Sequence, residues 1–526
     1  MAARIECDIG NHDYFIPINE QVALINEQSV TALLDDSDKD IARRICEGSR
    51  TLFATLLLIR RPSDILNFLE EGVYDKHLPF TRIKNNLEFE LNLQSGKPAQ
   101  STQGWDWSDR EYFERYQWWM LAPVFEDLEH YDLYEKVLLP FTSLGDARIK
   151  IRGGGWSEVY QARVHPAHHK WSAVNNLESS GPLVAVKRLY ESSEEEFKKE
   201  QSILRRLGAK NHPHLIKLLS TFRQGGKWNL IFPFADCNLR TYWDSHPIPA
   251  FEVETIKWTL DQIIGLASAI YHIHDFRLEY RQKDVSVAGL TLRVQEQERV
   301  YGRHGDLKPE NILWFKESPN INARGILQIT DFGLGRFHGR VSRSNVNPSS
   351  VYASPTYEAP ELKLSRPVSR AYDMWSLGCV FLEFLTWLLM GAKAIEDFAD
   401  CRGEPSNISD DGSITFSDDN FFTITDQGQG GKVRAGVITW VESLHAHENC
   451  SGLIHELLDC VMDGLIVIDA SRRFKAGQLV RNLKSLKQKA DSNEDFMMRP
   501  APYQVEPPSP PDSPGSRPQF LLAQYY

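Results

Sequence analysis

The 526-residue sequence predicts an α+β chain with three successive textures. A mostly helical N-terminal region comes first, then a small strand-rich lobe, then a larger helical lobe. Three observations carry this prediction. Residues 1–145 repeat apolar side chains at helical spacing. Short β-rich runs begin at Ile149 and continue to Phe234. After Thr255, helical periodicity dominates to about Gln488.

The first region is expected to hold a helix over Asp38–Ile59, with Ser37 as its capping residue. Trp105–Leu139 is rich in aromatics, including Trp118 and Trp119. Leu121, Phe125 and Leu128 recur there at helical intervals, so a second helical stretch is expected. No catalytic constellation stands in residues 1–145. They read as an accessory domain with an aromatic core, or as a partner-binding or regulatory module.

The strand-rich lobe opens with Ile149-Lys150-Ile151, which leads into Gly153-Gly154-Gly155 and then Glu158–Ala162. Leu183–Lys187 and Trp228–Phe234 read as further strands, with a helix over Glu194–Leu207 between them. Met374–Met390 is apolar, but it is short for a membrane span and contains Glu383. It reads as a buried core helix. Residues 276–302 and 395–432 are polar and read as surface insertions, the second disordered. The tail over 491–526 is Pro-rich around Pro507–Pro514 and is expected to be extended and solvated.

Net charge is −12, which argues against nucleic-acid partners and against an anionic membrane surface. Hydrophobic residues make up 42% and charged residues 25%, which fits a soluble protein with a real core. The seven cysteines are scattered and form no C-x-x-C pair, so free thiols in a reducing compartment are expected. The first residues lack the apolar stretch of a secretory signal. The expected location is intracellular, cytoplasmic and/or nuclear.

The chemistry concentrates in His304-Gly305-Asp306-Leu307-Lys308-Pro309-Glu310-Asn311, followed by Asp331-Phe332-Gly333. Phosphoryl transfer needs a carboxylate to take a hydroxyl proton and oxygen ligands for Mg²⁺. Asp306 supplies the first, Asn311 and Asp331 the second. Lys308 would neutralise charge on the transferred phosphoryl group. Gly153, Gly154 and Gly155 would let backbone N–H groups approach a phosphate, although a glycine run between strands can also be a plain hairpin turn. Val159 can lie over an adenine ring. Lys187, behind Val184-Ala185-Val186, is placed to be held inward for phosphate. Glu200 on the next helix is its candidate partner, with Glu194, Glu195 and Glu196 as competitors.

These strings resemble the eukaryotic protein kinases, over roughly residues 147–488. Further matches are Ala359-Pro360-Glu361, Asp373-Met374-Trp375-Ser376-Leu377-Gly378 and Arg473 in Asp469–Arg473. The texture resembles fungal-type kinases with a helical N-terminal extension. The resemblance implies a bilobal protein-kinase fold, with the N-lobe near 147–235 and the C-lobe near 236–488. It implies ATP and Mg²⁺ as cofactors and a protein substrate. It also implies an adenine site roofed by Val159 and Ala185 and floored by Leu313. Phe232 would be the gatekeeper, and Phe234 and Ala235 the hinge. Glu361 and Arg473 would form a buried ion pair, and Asp373 would hold the catalytic-loop backbone. Leu204, Leu218, His304 and Phe332 would stack as a spine. Lys308 and Ser354 match the serine/threonine type.

Three departures from the family pattern stand out. Spacing back from Val159 puts Arg152 at the first glycine position of the loop and Ser157 at the third, so weakened ATP binding is expected. Gly305 stands where many kinases carry the Arg that clamps an activation-segment phosphate. Activity is therefore expected not to depend on that clamp. Pro233 in the hinge region lacks an N–H. The leading expectation is an active Ser/Thr kinase. The alternatives are a pseudokinase acting as a nucleotide-binding scaffold and a kinase-fold enzyme acting on a small molecule; Ser354 and Ala359-Pro360-Glu361 argue against the latter. Ser509 and Ser513 in the tail precede prolines and are candidate phosphoacceptors. The tail itself could offer a Pro-rich ligand to a partner groove.

Overall fold

The computed structural model describes residues 4–6, 14–34, 39–82, 90–142, 150–153, 157–174, 180–190, 194, 197–198, 201–202, 204–205, 212–275, 277–278, 300–301, 303–316, 324–331, 355–364, 366, 368–408, 414–425 and 429–503. Internal contacts divide the chain into two compact units. One is 1–201 with 217–234; the other is 202–216 with 235–526.

The first unit begins with helices at Ile18–Leu24, Glu27–Leu33, Lys39–Gly48, Arg50–Leu58, Ile65–Glu71 and Trp107–Tyr116. They enclose a core of their own that includes Val30, Ile45, Phe53, Phe68, Phe80 and Phe113, all fully buried. The helix expected over Asp38–Ile59 is two helices broken at Ser49, while Ser37 lies outside the described residues. Gly48, a weak helix former, ends the first. The Asp75 carboxylate accepts from Thr51 N at 3.1 Å and Leu52 N at 2.8 Å, so it satisfies the open amides of the second.

The helix expected across Trp105–Leu139 stops near Trp119. Pro123 cannot donate a helical hydrogen bond, and Leu128 takes a left-handed φ of 61°. Beyond them the chain joins a seven-stranded sheet. Its strands are β1 (His130–Asp132), β2 (Phe141–Thr142), β3 (Lys150–Gly153), β4 (Ser157–Val164), β5 (Leu183–Leu189), β6 (Ser220–Gln224) and β7 (Lys227–Pro233), in the order β1-β6-β7-β5-β4-β2, with β3 on β4. The sheet thus draws two strands from before residue 147. β1 runs parallel to β6, with His130 opposite Thr221.

Strand alternation sorts this sheet into two faces. Tyr160, Ala162, Val184, Val186 and Ile231 point into a core with Phe125, Trp171 and Phe222. Phe197, a helical residue, packs on the sheet, its ring stacked on Trp228 at 4.1 Å. Gln201 Nε2 donates to Thr221 Oγ1 at 2.7 Å.

The second unit is mainly helical. A small sheet pairs β8 (Cys237–Asn238), β9 (Ile312–Phe315) and β10 (Ile326–Ile329). Its long helices are Val253–His274, Ala371–Met390, Gly452–Gly464 and Ala476–Ser492. Ala371–Met390 is apolar and long enough to cross a membrane, yet its most apolar stretch is 94% buried inside the protein. It is the core helix of this unit.

Glu383 lies on that helix with no exposure and is held by three partners. Arg402 Nη2 lies 3.1 Å from Oε1, Arg240 Nη2 lies 3.1 Å from Oε2, and the Tyr357 hydroxyl donates to Oε2 at 2.7 Å. A carboxylate so deep is tolerated because cations and a hydroxyl surround it.

The 395–432 segment is not without structure among its described residues. It contributes helix Lys393–Cys401 and two hairpins, Glu404–Ile408 with Ile414–Asp418 and Phe422–Thr425 with Gly430–Val433. Polar composition hid the anchors. Arg402 Nε donates to Asp419 O at 2.8 Å, and Arg434 Nη1 donates to the carbonyls of Arg402 at 2.7 Å and Asp418 at 2.8 Å. The 276–302 segment contributes one short antiparallel pair among its described residues, Arg277–Leu278 with Val300–Tyr301.

Candidate active site

In the first unit, register decides which side chains share a face. Lys187 of β5 pairs with Val159 of β4 on one side and Leu230 of β7 on the other. Ala185 pairs with Gln161 and Phe232. Directly opposite residues in an antiparallel sheet point the same way. Val159, Ala185, Lys187 and Phe232 therefore stand together, on the face away from Val184 and Val186. Lys187 is partly buried, which fits a stem held along the sheet rather than a fully solvated edge residue.

Arg152 and Gly153 lie in β3, opposite Val159 and Glu158, with a bulge between Lys150 and Arg152. Gly154, Gly155, Glu200, Phe332, Gly333 and Ser354 lie outside the described residues. β7 ends at Pro233, and the boundary between the units falls between Phe234 and Ala235.

In the second unit, the string from His304 to Asn311 is a tight loop stitched at both ends. Asp373, on the buried helix, accepts from His304 N at 2.9 Å and Gly305 N at 2.8 Å. His274 Nε2 lies 2.8 Å from the same carboxylate. Burial opposes the Asp373 charge. The hydrogen bond and charge of His274, the charge of His304 and the Gly305 N–H outweigh it and hold the carboxyl below its ordinary value.

Gly305 takes a φ of 79°, a left-handed conformation that glycine adopts without a Cβ penalty. The position that lacks the family's arginine is also the one where the loop backbone turns to meet Asp373.

Asp306 follows that turn. Asn311 Nδ2 donates to Asp306 O at 2.8 Å and to Asp306 Oδ2 at 3.1 Å. Lys308 Nζ lies 3.2 Å from Asp306 Oδ2. Lys308 and Asn311 are buried, while the Asp306 side chain keeps 32% exposure. The Asp306 carboxylate is thus accessible, while the lysine and carboxamide beside it are buried.

Asp331 is tied into the same cluster through its neighbour. Ile312 pairs with Ile329 across β9 and β10, and Thr330 N donates to Asn311 O at 3.0 Å. His304 Nε2 lies 2.9 Å from Thr330 O. Asp331 comes next, in a left-handed conformation with a φ of 61°. Such backbone costs an L-residue about 1–2 kcal/mol, and Asp tolerates it better than most. Asn311 and Asp331 carry oxygen donors of the kind a hard divalent cation prefers, so the residues fit Mg²⁺.

A family model described as a protein kinase domain matches residues 298–462. Cyclin-dependent kinase 4 of Ovis aries is 32% identical over 251 residues, covering 46% of this chain and 67% of the relative. Its counterpart in Mus musculus is 29% identical over 239 residues, covering 44% and 63%. This chain belongs to the eukaryotic protein kinase family. It spans 63% of the length of that mouse relative.

The kinase fold explains the long-range pair between Glu361 and Arg473. Nη1 meets Oε1 and Nη2 meets Oε2, both at 2.9 Å. Arg473 also donates to the carbonyls of Val467 at 2.7 Å and Ala371 at 2.8 Å. Both side chains are buried. Glu361 opens the short helix Pro360–Lys363, so the pair pins the end of the segment that follows residue 354.

Leu204, Leu218 and His304 are each buried. Leu313 is half-buried on β9, opposite Gln328 and Asn238.

Sequence reasoning missed the roles of Tyr357, Arg240 and Arg402 around Glu383, and that of His274 on Asp373. The one legible signal was a carboxylate inside an otherwise apolar helix.

Proposed function

We propose that this chain is a serine/threonine protein kinase that transfers the γ-phosphoryl group of ATP to protein hydroxyls. The geometry around Asp306 carries this reading: an accessible carboxylate is backed by a buried lysine and a buried carboxamide, on a loop suspended from Asp373.

In the reaction, Asp306 orients the acceptor hydroxyl and takes its proton as the oxygen attacks the γ-phosphorus. The bond from that phosphorus to the β–γ bridging oxygen breaks, and ADP leaves. Lys308 offsets negative charge on the transferred group. Lys187 would hold phosphate oxygens, and Val159, Ala185 and Phe232, which share its face of the sheet, would contact the adenine. Glu200, outside the described residues, would be the carboxylate that orients Lys187. Asn311 and Asp331 would hold Mg²⁺, which supplies neutralisation of phosphate charge.

Residues 147–488 would form the kinase domain. The helices between Ile18 and Tyr116 would be an accessory region, a reading supported by their separate core, whereas Phe125, Leu139 and Phe141 belong to the core of the sheet. The solvated tail expected over 491–526 is corrected at its start, where helix Glu494–Met498 buries Met497 and Ala501 N donates to Cys450 O; residues 504–526 lie outside the described residues.

The purified chain given Mg-ATP and a degenerate peptide library should label Ser and Thr acceptors and leave Tyr unlabelled. Labelled Tyr would overturn the assignment of acceptor class.

Because Gly305 replaces the clamping arginine, activity should not require activation-segment phosphate. Alanine at Ser342, Ser344, Ser349 and Ser350 together should leave the initial rate within about twofold, since no phosphate–arginine contact is lost. Abolished activity that is restored by acidic replacements would contradict this.

A further inference from the structure

Far along the chain from the phosphoryl-transfer residues, the corner between helices Ala435–His445 and Gly452–Gly464 gathers three side chains that the kinase reaction does not use. His445 Nδ1 lies 2.8 Å from His455 Nδ1. Cys450 Sγ lies 3.3 Å from the same His455 nitrogen. All three donor atoms fall within 4.8 Å of one another. Cys450 and His455 are 1% and 6% exposed.

The outer edges of both rings are already engaged. His455 Nε2 lies 2.8 Å from Ala501 O. A carbonyl only accepts, so this nitrogen carries the ring proton and Nδ1 presents a lone pair. His445 Nε2 faces the Asp459 carboxylate at 3.6 Å. A carbonyl or carboxylate behind each imidazole is how metal-binding histidines are oriented and kept in the right tautomer. Asp459 is itself fixed by the Tyr503 hydroxyl at 2.8 Å.

The geometry points to a zinc-type site: His445 and His455 through Nδ1 and Cys450 through Sγ bind one borderline-soft divalent cation, with water as fourth ligand. Zn–N bonds of about 2.0–2.1 Å and Zn–S bonds of about 2.3 Å put tetrahedral donors roughly 3.3–3.6 Å apart. The observed separations are shorter by a few tenths of an ångström, so small side-chain shifts would open the site. Binding converts the Cys450 thiol to a metal-bound thiolate and releases one proton to the buffer.

The site would also clasp the segment that leads into the Pro-rich tail. Ala501 N donates to Cys450 O at 3.0 Å, and Ser451 bridges to Pro500. The Tyr503 ring stacks on His445 at 3.8 Å. Residues 500–503 thus lie against all three ligands and against Asp459. A bound cation would fix where the tail leaves this unit.

The test titrates the full chain, stripped with chelator, with Co²⁺ as a spectroscopic substitute for Zn²⁺. The expected result is one equivalent bound, a thiolate-to-cobalt charge-transfer band, and its loss when Zn²⁺ displaces Co²⁺. Cys450→Ser should abolish the band, while Cys401→Ser, at an exposed cysteine outside the cluster, should keep it. Asp459→Asn leaves the ligands intact and should weaken affinity about 10–100-fold, which reads the site even if Cys450→Ser does not fold. Zn²⁺ should also slow hydrogen exchange at the Ala501 amide. No stoichiometric uptake, or uptake without the thiolate band, would overturn the site in favour of a proton shared between the two imidazoles.

Discussion

Replacing Asp306 by Asn is expected to lower the rate of phosphoryl transfer by about 10²–10⁴, the usual worth of a positioned general base. The substitution preserves shape. Asn311 Nδ2 keeps its 2.8 Å bond to the backbone carbonyl of residue 306, so the loop holds its course. What is lost is the carboxylate that takes the acceptor proton and the charge that holds Lys308 at 3.2 Å. Nucleotide affinity should change little, because the groups assigned to adenine lie elsewhere. A kcat measurement paired with nucleotide binding checks this. A variant that turns over at the wild-type rate would remove Asp306 from the mechanism.

Arg473→Ala is expected to destabilise the second unit by about 3–5 kcal/mol, because it leaves the Glu361 carboxylate buried without its counter-charge. The loss is more than one ion pair. Arg473 also ties the carbonyls of Val467 and Ala371 together, and Ala371 begins the core helix. Faster hydrogen exchange at the start of that helix and a lower urea midpoint should accompany the change. Adding Glu361→Gln should recover part of the loss by removing the stranded charge, although the buried amide would still lack the arginine's donors. A double variant no more stable than Arg473→Ala would show that the carbonyl contacts, rather than the charge, dominate.

Several parts of this architecture were legible in the sequence because they are local. Leu183-Val184-Ala185-Val186-Lys187 read as a strand, and Leu183–Leu189 is one. The spacing from Asp306 to Asn311 brought their side chains within hydrogen-bond reach. Met374–Met390 read as a core helix because of its length and Glu383.

What was not legible depends on distance along the chain or on backbone geometry. The periodicity of Leu121, Phe125 and Leu128 imitated a helix, but Pro123 and the left-handed Leu128 turn the chain toward a parallel pairing with a strand about 90 residues later. Polar composition in 395–432 concealed Arg402, which folds inward onto Glu383 and the carbonyl of Asp419. The meeting of His445, Cys450 and His455 needed the corner between two helices. Gly305 was legible as a missing arginine, but not as a left-handed turn whose amide reaches Asp373.

The measurement closest to the central claim is γ-phosphate transfer by the full wild-type chain, with ATP and Mg²⁺ at saturating levels and nucleotide occupancy measured in the same sample. The account predicts Mg²⁺-dependent incorporation into Ser and Thr peptides over many turnovers. Saturated nucleotide binding with no transferred phosphate would contradict it and make the chain a nucleotide-binding scaffold.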